Sequence, residues 1–138
     1  MLVFMAETKT EKKNEKKIAS TKLNQARIST KQSMVLVRRI KGKPLGKAKK
    51  WLQDLSKGRT TIEERKTGKT FPTTAKKFIE AIETLEANAK VKQMDVDKLF
   101  LVKAHANAGE SFYLPKSRFH LRGRKAKSTN ITLVAAER

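Results

Sequence analysis

The sequence lacks cysteine altogether and contains no long apolar run. Without a thiol the chain can form no disulfide, no thiolate metal site and no cysteine nucleophile, which is typical of proteins in a reducing compartment. The apolar stretch MLVF at 1–4 is shorter than a signal-peptide core, and no segment approaches the roughly 20 apolar residues of a membrane span. The sequence therefore predicts a soluble cytoplasmic protein with no membrane insertion.

Acidic residues are scarce as well. The 138-residue chain has 13 Asp and Glu against 33 Lys and Arg, which gives a formal net charge of +20. Residues 71–110 balance six basic side chains with six acidic ones, so the excess lies in 1–70 and 111–138. Positive charge concentrated in particular segments is the electrostatic signature of a polyanion binder, usually of nucleic acid.

Side chains that could perform catalysis or bind metal are few. His105 and His120 have no partner at metal-ligand spacing, and the glutamates of 80–86 follow a helical period that is typical of a solvated face. The stretch TGKT at 67–70 has Glu63 where a phosphate-binding loop requires glycine. We therefore expect no catalytic residue, no metal site, no cofactor and no enzyme activity.

The pattern along the chain predicts one domain behind a tail. Residues 7–17 have no apolar side chain and mix both charges, so 1–17 is predicted to be a flexible basic tail. Residues 18–138 are then long enough for a single domain with one core. Its first segment, 18–29, has few helix signals and could supply an edge strand.

Helix signals agree over 30–41. Ser29 as N-cap and Gln32 three residues later fit a capping box, and Gly42 supplies a left-handed stop. The expected apolar stripe of this helix consists of Met34, Val37 and Ile40.

A second helix is predicted over 45–57, where Leu45, Ala48, Leu52 and Leu55 share one stripe with Trp51 beside it. The polar stretch 59–70 is predicted to be an exposed loop or insertion. Residues 72–89 predict a third helix, electrically neutral and central to the core.

The end of the chain changes to the two-residue period of strands, at 99–104 and again at 131–135. Between them KSRFHLRGRKAKSTN, at 116–130, holds six Lys and Arg and no acid. An antiparallel hairpin about 20 residues long on each side would extend beyond a domain of this size, where only a partner such as phosphate could hold it.

The order of these parts resembles a known family. The stretches ARISTKQSMVLVRRIKGKPLGKAKKWLQDL (26–55), FPTTAKKFIEAIETLEANA (71–89), and the YLP and NITLV segments of the hairpin are similar to the universal large-subunit ribosomal protein family numbered twenty-two in bacterial and seventeen in eukaryotic nomenclature. The 59–70 segment is similar to the archaeal and eukaryotic branch. The resemblance covers roughly 18–136.

The resemblance implies an α+β fold in which three helices pack on a three-stranded antiparallel sheet with a long extended β-hairpin at 109–128. It further implies a structural component of the large ribosomal subunit, with rRNA, neighbouring ribosomal proteins and the nascent peptide of the exit tunnel as partners. The residues expected to contact rRNA are Lys31, Arg38, Arg39, Lys43, Lys47, Lys50, Lys116, Arg118, Arg122, Arg124, Lys125 and Lys127. The residues expected at the tunnel are Tyr113, Leu114, Pro115, Phe119 and His120.

A basic DNA-binding protein of architectural or regulatory type remains the alternative. It would use helices 30–41 and 45–57 as a helix-turn-helix. Such a recognition helix reads base edges, whereas the second helix offers mostly lysine, which suits phosphate, and this alternative leaves the hairpin without a role.

Overall fold

A three-stranded antiparallel sheet and three helices make up most of the protein in its computed structural model, which describes residues 17–64, 67–115, 118 and 123–137. Residues 1–16 of the predicted tail lie outside this range. In chain order the elements are β1 (Ile18–Ala26), α1 (Thr30–Ile40), α2 (Leu45–Ser56), β2 (Ile62–Glu64), β3 (Thr67–Lys69), α3 (Pro72–Val91), a short 3-10 turn (Val96–Lys98), β4 (Leu99–Tyr113) and β5 (Lys125–Glu137).

The sheet has the order β1-β5-β4, with β5 paired antiparallel on both sides. Its central strand buries Ile131, Leu133 and Ala135 on one face, which is the alternation expected of a half-buried strand. The strand predicted within 18–29 is confirmed as β1, at the edge of the sheet. The α+β fold inferred from the sequence is therefore confirmed.

The helices cover one face of the sheet. α1 packs chiefly against β4, while α3 packs against β1 and α2 packs against α3. Leu52 of α2 and Phe78 of α3 are both fully buried. The three helices predicted from periodicity thus exist, and their ends differ from the predicted ones by two residues or fewer.

The buried stripe of α1 differs from the predicted one. Met34 is 45% exposed, and the buried residues are Ser33, Leu36, Val37 and Ile40. Ser33 can be buried because its hydroxyl donates to the Ser29 carbonyl oxygen at 2.9 Å. A search for apolar residues alone cannot find such a stripe.

The predicted capping box at the start of α1 is wrong. Ser29 occupies the N-cap position but makes no side-chain cap bond. The Gln32 amide oxygen instead accepts a hydrogen bond from the Thr74 hydroxyl of α3 at 2.9 Å. The predicted stop at Gly42 is confirmed, because its φ is +78° and its N–H donates to the Leu101 carbonyl oxygen at 2.8 Å.

The segment 59–70 is not an irregular loop. Its strands β2 and β3 pair antiparallel, with Ile62 opposite Lys69 and Glu64 opposite Thr67. Ile62 is only 2% exposed and joins the main hydrophobic core. One apolar side chain in a polar segment therefore anchors this small hairpin, which corrects the expectation of an exposed loop.

Candidate nucleic-acid interface

The basic residues predicted on the first two helices and in the connection between them all reach solvent. The buried stripe of α1 faces β4, and the stripe of α2 faces α3, so the remaining positions point outward. The exposed cations of this group are Lys31, Arg38, Arg39, Lys43, Lys47 and Lys50.

These cations have no acidic counter-charge among the described residues. The ion pairs found there involve Lys49 with Glu83 and Glu86, Lys77 with Glu80, and Lys98 with Asp95. None of these lysines belongs to the set predicted to contact rRNA. Of the three lysines on the outer side of α2, Lys49 is thus paired with α3, whereas Lys47 and Lys50 have no ion pair among the described residues.

A basic groove forms where the start of α1 meets β4 and β5. It has a volume of about 920 Å³, and Ala108, Gly109 and Leu114 contribute to its walls. We call this feature the basic groove and define it by its four cationic side chains. They are Arg27, Lys31, Lys125 and Lys127.

Arg27 is the groove residue that sequence reasoning missed. It is exposed between buried Ala26 and Ile28 in the connection from β1 to α1. That alternation could have marked Arg27 as outward-facing. Its position near Lys125 and Lys127 depends on the pairing of β1 with β5, which the sequence does not specify.

Two threonines hold the groove together. The Thr129 hydroxyl, which is fully buried, donates to the Ile28 carbonyl oxygen at 2.9 Å. Since this hydroxyl has only one hydrogen, the Thr30 hydroxyl must be the donor in the 2.8 Å contact between the two threonines. β5 is thereby tied to the start of α1, which fixes Lys31 beside the strand pair.

Pairing of β4 with β5 continues from the groove into the predicted arm, residues 109–128. A bulge separates the Ala108–Thr129 and Ser111–Lys127 pairs, and the ladder runs on to Tyr113–Lys125. The Lys125 ammonium lies 5.0 Å from the centre of the Tyr113 ring. Lys125 is thus both part of the groove and in contact with a residue expected at the tunnel.

Most of the described residues of the predicted arm are exposed, whereas Ser128 at its base is buried. Tyr113 is 73% and Leu114 is 41% exposed, and Pro115 is exposed too. The exposed cations here are Arg118, Arg124, Lys125 and Lys127. The predicted contact residues Lys116, Phe119, His120 and Arg122 lie outside the described residues.

A second cluster of cationic side chains lies where α1 and α2 meet, and none of its residues lines the basic groove. Arg39 and Trp51 line a cavity of about 290 Å³, and the Lys43 ammonium lies 5.6 Å from the centre of the Trp51 ring. The cations predicted on α1 and after it therefore fall into two places. Lys31 lies in the basic groove beside the arm, and Arg39 and Lys43 lie beside Trp51. Lys47 and Lys50 line neither cavity.

The packing does not favour the DNA-binding alternative. In a helix-turn-helix the two helices support each other, but here α1 packs chiefly on β4 and α2 packs chiefly on α3. Within the described ranges there is no group of three or more His, Asp or Glu side chains that could hold a metal ion. No helix in the same ranges is long and apolar enough to cross a membrane.

Comparison with known proteins agrees with these features. Residues 21–135 match the model of the family described as ribosomal protein L22p/L17e. The large ribosomal subunit protein uL22 of Pyrobaculum aerophilum is 30% identical over 87% of this chain and 75% of its own. The uL22 proteins of Archaeoglobus fulgidus and Methanopyrus kandleri are 29% and 24% identical, over 80% and 93% of this chain and 83% and 92% of theirs.

The family match covers most of the chain, and the relatives named are archaeal. This chain therefore belongs to the archaeal branch of the ribosomal protein L22p/L17e family, and it is a structural, non-enzymatic protein of the large ribosomal subunit.

Proposed function

We propose that this protein, within the cytoplasmic large subunit, anchors itself on large-subunit rRNA with its exposed cations and lines the nascent-peptide exit tunnel with the arm. Residues 18–138 form the rRNA-binding domain, 109–128 are its arm, and 1–17 are a basic tail. The proposed rRNA contacts are the twelve basic residues predicted from the sequence together with Arg27.

The basic groove is the observation that carries the proposal. Four cations from two distant stretches of the chain converge there, and no ion pair among the described residues neutralises them. Like charges gathered in this way repel one another, and a partner that supplies negative charge removes that cost. The phosphate backbone of RNA supplies such charge at regular spacing.

The burial pattern along β4 supports a role for the arm outside the domain. Buried residues alternate along this strand up to Ala106, and from residue 110 onward every described residue of the strand is exposed. A β-ladder without helix cover on either face has no core of its own. In the proposed position, rRNA covers the arm, and Tyr113, Leu114 and Pro115 lie at the tunnel together with Phe119 and His120.

Salt dependence tests the rRNA contacts. Each neutralised phosphate contributes about −0.7 to −0.9 to the slope of log affinity against log salt. With at least about six contacts, the slope on a large-subunit rRNA fragment should be about −4 or steeper. A slope shallower than about −3 contradicts the proposal.

A matched pair of variants locates the contacts. Arg27→Gln with Lys31→Gln removes two groove cations and should make the slope shallower by about 1.4 to 1.8. Lys76→Gln with Lys90→Gln removes two exposed cations of α3 and leaves the groove intact, so the slope should stay close to that of the wild type. Equal changes in both variants would mean that the groove has no special role.

The tunnel role is tested by shortening the arm. Because Tyr113 pairs directly with Lys125, residues 114–124 can be replaced by Asn-Gly, which closes a two-residue hairpin turn. Ribosomes that carry this variant should retain the protein through washing at high salt, and they should respond abnormally to a stalling peptide. A normal stalling response would overturn the tunnel assignment and leave the rRNA assignment standing.

A further inference from the structure

We propose that the cavity beside Trp51 binds one unpaired base of the RNA. This inference rests on the proposed rRNA binding and assigns a particular ligand to one place on that surface. The lining residues come from α1, α2 and the segment that enters β2. They are Arg39, Trp51, Thr60, Thr61 and Ile62.

The cavity has the size and rigidity that a single base requires. Its volume of about 290 Å³ lies just below the range of about 300 to 1,000 Å³ for drug-sized ligand sites, as suits a smaller group such as one base. Ile62 is buried in the core, and half-buried Trp51 packs against the same core. Both side chains are therefore held in place before any ligand arrives, which lowers the entropic cost of binding.

The chemistry of the lining suits a base in an RNA strand. The indole ring of Trp51 offers a flat surface for stacking, and such stacking tolerates any base. The Thr60 and Thr61 hydroxyls can donate or accept hydrogen bonds at a base edge. Two cations, Arg39 as a lining residue and Lys43 at 5.6 Å from the Trp51 ring, are placed to meet the flanking phosphates.

A base that is paired in a helix cannot use this site. Stacking on a side chain requires a base that has left its own stack, as in a bulge, a loop or a single strand. The expected ligand is therefore a bulged or looped nucleotide. The basic groove, which has no aromatic side chain among the described residues that line it, is expected to contact backbone phosphate instead.

The chain contains a single tryptophan, so tryptophan emission, excited selectively over that of tyrosine, reports on this cavity alone. The probes are an RNA hairpin with a one-base bulge and a fully paired hairpin with the same number of phosphates. The full-length protein should bind the bulged hairpin about 5- to 100-fold more tightly, because stacking on one aromatic side chain accounts for such a factor. Tryptophan emission should be quenched by the bulged hairpin and not by the paired one.

Two variants separate stacking from folding. Trp51→Leu keeps an apolar side chain but cannot stack, so it should bind both hairpins with equal affinity and with the salt slope of the wild type. Trp51→Phe keeps a smaller aromatic ring and should retain part of the preference. If the leucine variant fails to fold, the binding preference of the phenylalanine variant and the quenching of the wild type still test whether the cavity binds a base.

Each other outcome has a definite meaning. Equal binding of both hairpins by the wild type, without quenching, overturns the base site and leaves rRNA binding intact. Failure to bind either hairpin or the rRNA fragment overturns the proposed function itself. Quenching by adenosine or uridine monophosphate at the concentrations that suffice for the bulged hairpin would assign the cavity to free nucleotides, and that also overturns the base site.

Discussion

The Lys49 ammonium of α2 lies 2.9 Å from a Glu86 carboxylate oxygen of α3, with Glu83 at 3.7 Å. This contact joins a basic helix, which has three lysines and one aspartate, to the electrically neutral helix α3. The side chains of Lys49 and Glu86 are 24% and 20% exposed, so water screens their attraction only in part. One lysine of α2 thus stabilises the packing of the helices, while its neighbours Lys47 and Lys50 have no ion pair among the described residues.

We predict that this pair makes stability depend on alkaline pH. The hydrogen bond to Glu86 raises the pKa of Lys49 above its ordinary value of 10.5. Because the folded pKa is the higher one, the contribution is complete below 10.5 and is lost as the pH rises through the folded value. At pH 7, Lys49→Met should lower the free energy of unfolding by about 0.5 to 1 kcal/mol, and this difference should shrink as the pH rises beyond 10.5 and through the raised pKa of Lys49.

Urea denaturation of the wild type and the variant across this pH range measures the difference directly. Lys50→Met is the control, since Lys50 is exposed on the same helix and has no ion pair among the described residues. Its difference from the wild type should be small at every pH. If Lys49→Met lowers the free energy of unfolding by the same amount at high pH, then packing of the lysine stem, and not its charge, stabilises the helix pair.

Gly109 at the bulge of β4 should not tolerate a side chain. A Cβ there would lie 2.5 Å from Ser128 Oγ and 3.0 Å from Asn130 Oδ1. Both oxygens are engaged, because Ser128 Oγ donates to the Glu110 carbonyl oxygen at 2.6 Å and Asn130 Oδ1 accepts from the Gln25 N–H at 2.8 Å. Gly109→Ala should therefore cost about 1 to 3 kcal/mol of stability.

A double variant tests that cause. Ser128→Ala removes the oxygen that lies nearest the new methyl group, at the cost of its own hydrogen bond. Gly109→Ala combined with Ser128→Ala should be more stable than the sum of the two single effects implies. Strict additivity in thermal denaturation would show that the alanine clashes elsewhere or not at all.

At the end of α3 a residue other than glycine holds the left-handed position. Gln93 has a φ of +55°, with its N–H bonded to the Lys90 carbonyl oxygen and the Met94 N–H bonded to that of Ala89. Gln93→Gly removes the strain of this conformation, so it should raise the free energy of unfolding by about 0.5 to 1 kcal/mol after the loss of chain entropy is counted.

The matched control for that prediction is Lys90→Gly, one turn earlier. Lys90 is exposed and helical, so glycine there should lower stability by about 0.5 to 1 kcal/mol. In chemical denaturation we expect Gln93→Gly to raise the free energy of unfolding and Lys90→Gly to lower it. A loss of stability in Gln93→Gly would mean that the glutamine side chain contributes more than its backbone conformation costs.

The helices could be predicted from the sequence because local signals agree over many residues. In α2 the apolar period and the glycine at 58, just after the last turn, indicate the same end of the helix, and the structure has the helix at Leu45–Ser56. The same agreement holds for α3. Redundant signals of this kind remain reliable without any knowledge of tertiary contacts.

The errors arose where a tertiary contact decides the local structure. Gln32 is bonded to Thr74, 42 residues away, and not to the start of its own helix. Ile62 is a buried anchor of a strand pair only three residues long on each side. The position of Arg27 beside the predicted arm depends on the pairing of β1 with β5. Each of these depends on partners distant in the sequence, which a local pattern does not contain.

The last prediction separates rRNA anchoring from folding. Arg38, Arg39 and Lys43 are exposed and have no ion pair among the described residues, so replacing all three by Gln should change the melting temperature little. Single surface substitutions are usually within about 0.5 kcal/mol, and the contact of Lys43 with Trp51 adds about 0.5 to 1 kcal/mol at most for a site this open. Affinity for an rRNA fragment should fall, with a slope against salt shallower by about 2 to 3.

Leu52→Ala should behave in the opposite way. Leu52 of α2 is fully buried in the main core. Its truncation should therefore cost about 2 to 5 kcal/mol of stability. Well below the lowered melting temperature its rRNA affinity and salt slope should match those of the wild type, because no surface cation has changed. Two results would contradict this division between a cationic surface and an apolar core. One is unfolding of the domain by the triple substitution, and the other is weaker rRNA binding by Leu52→Ala at temperatures where it is fully folded.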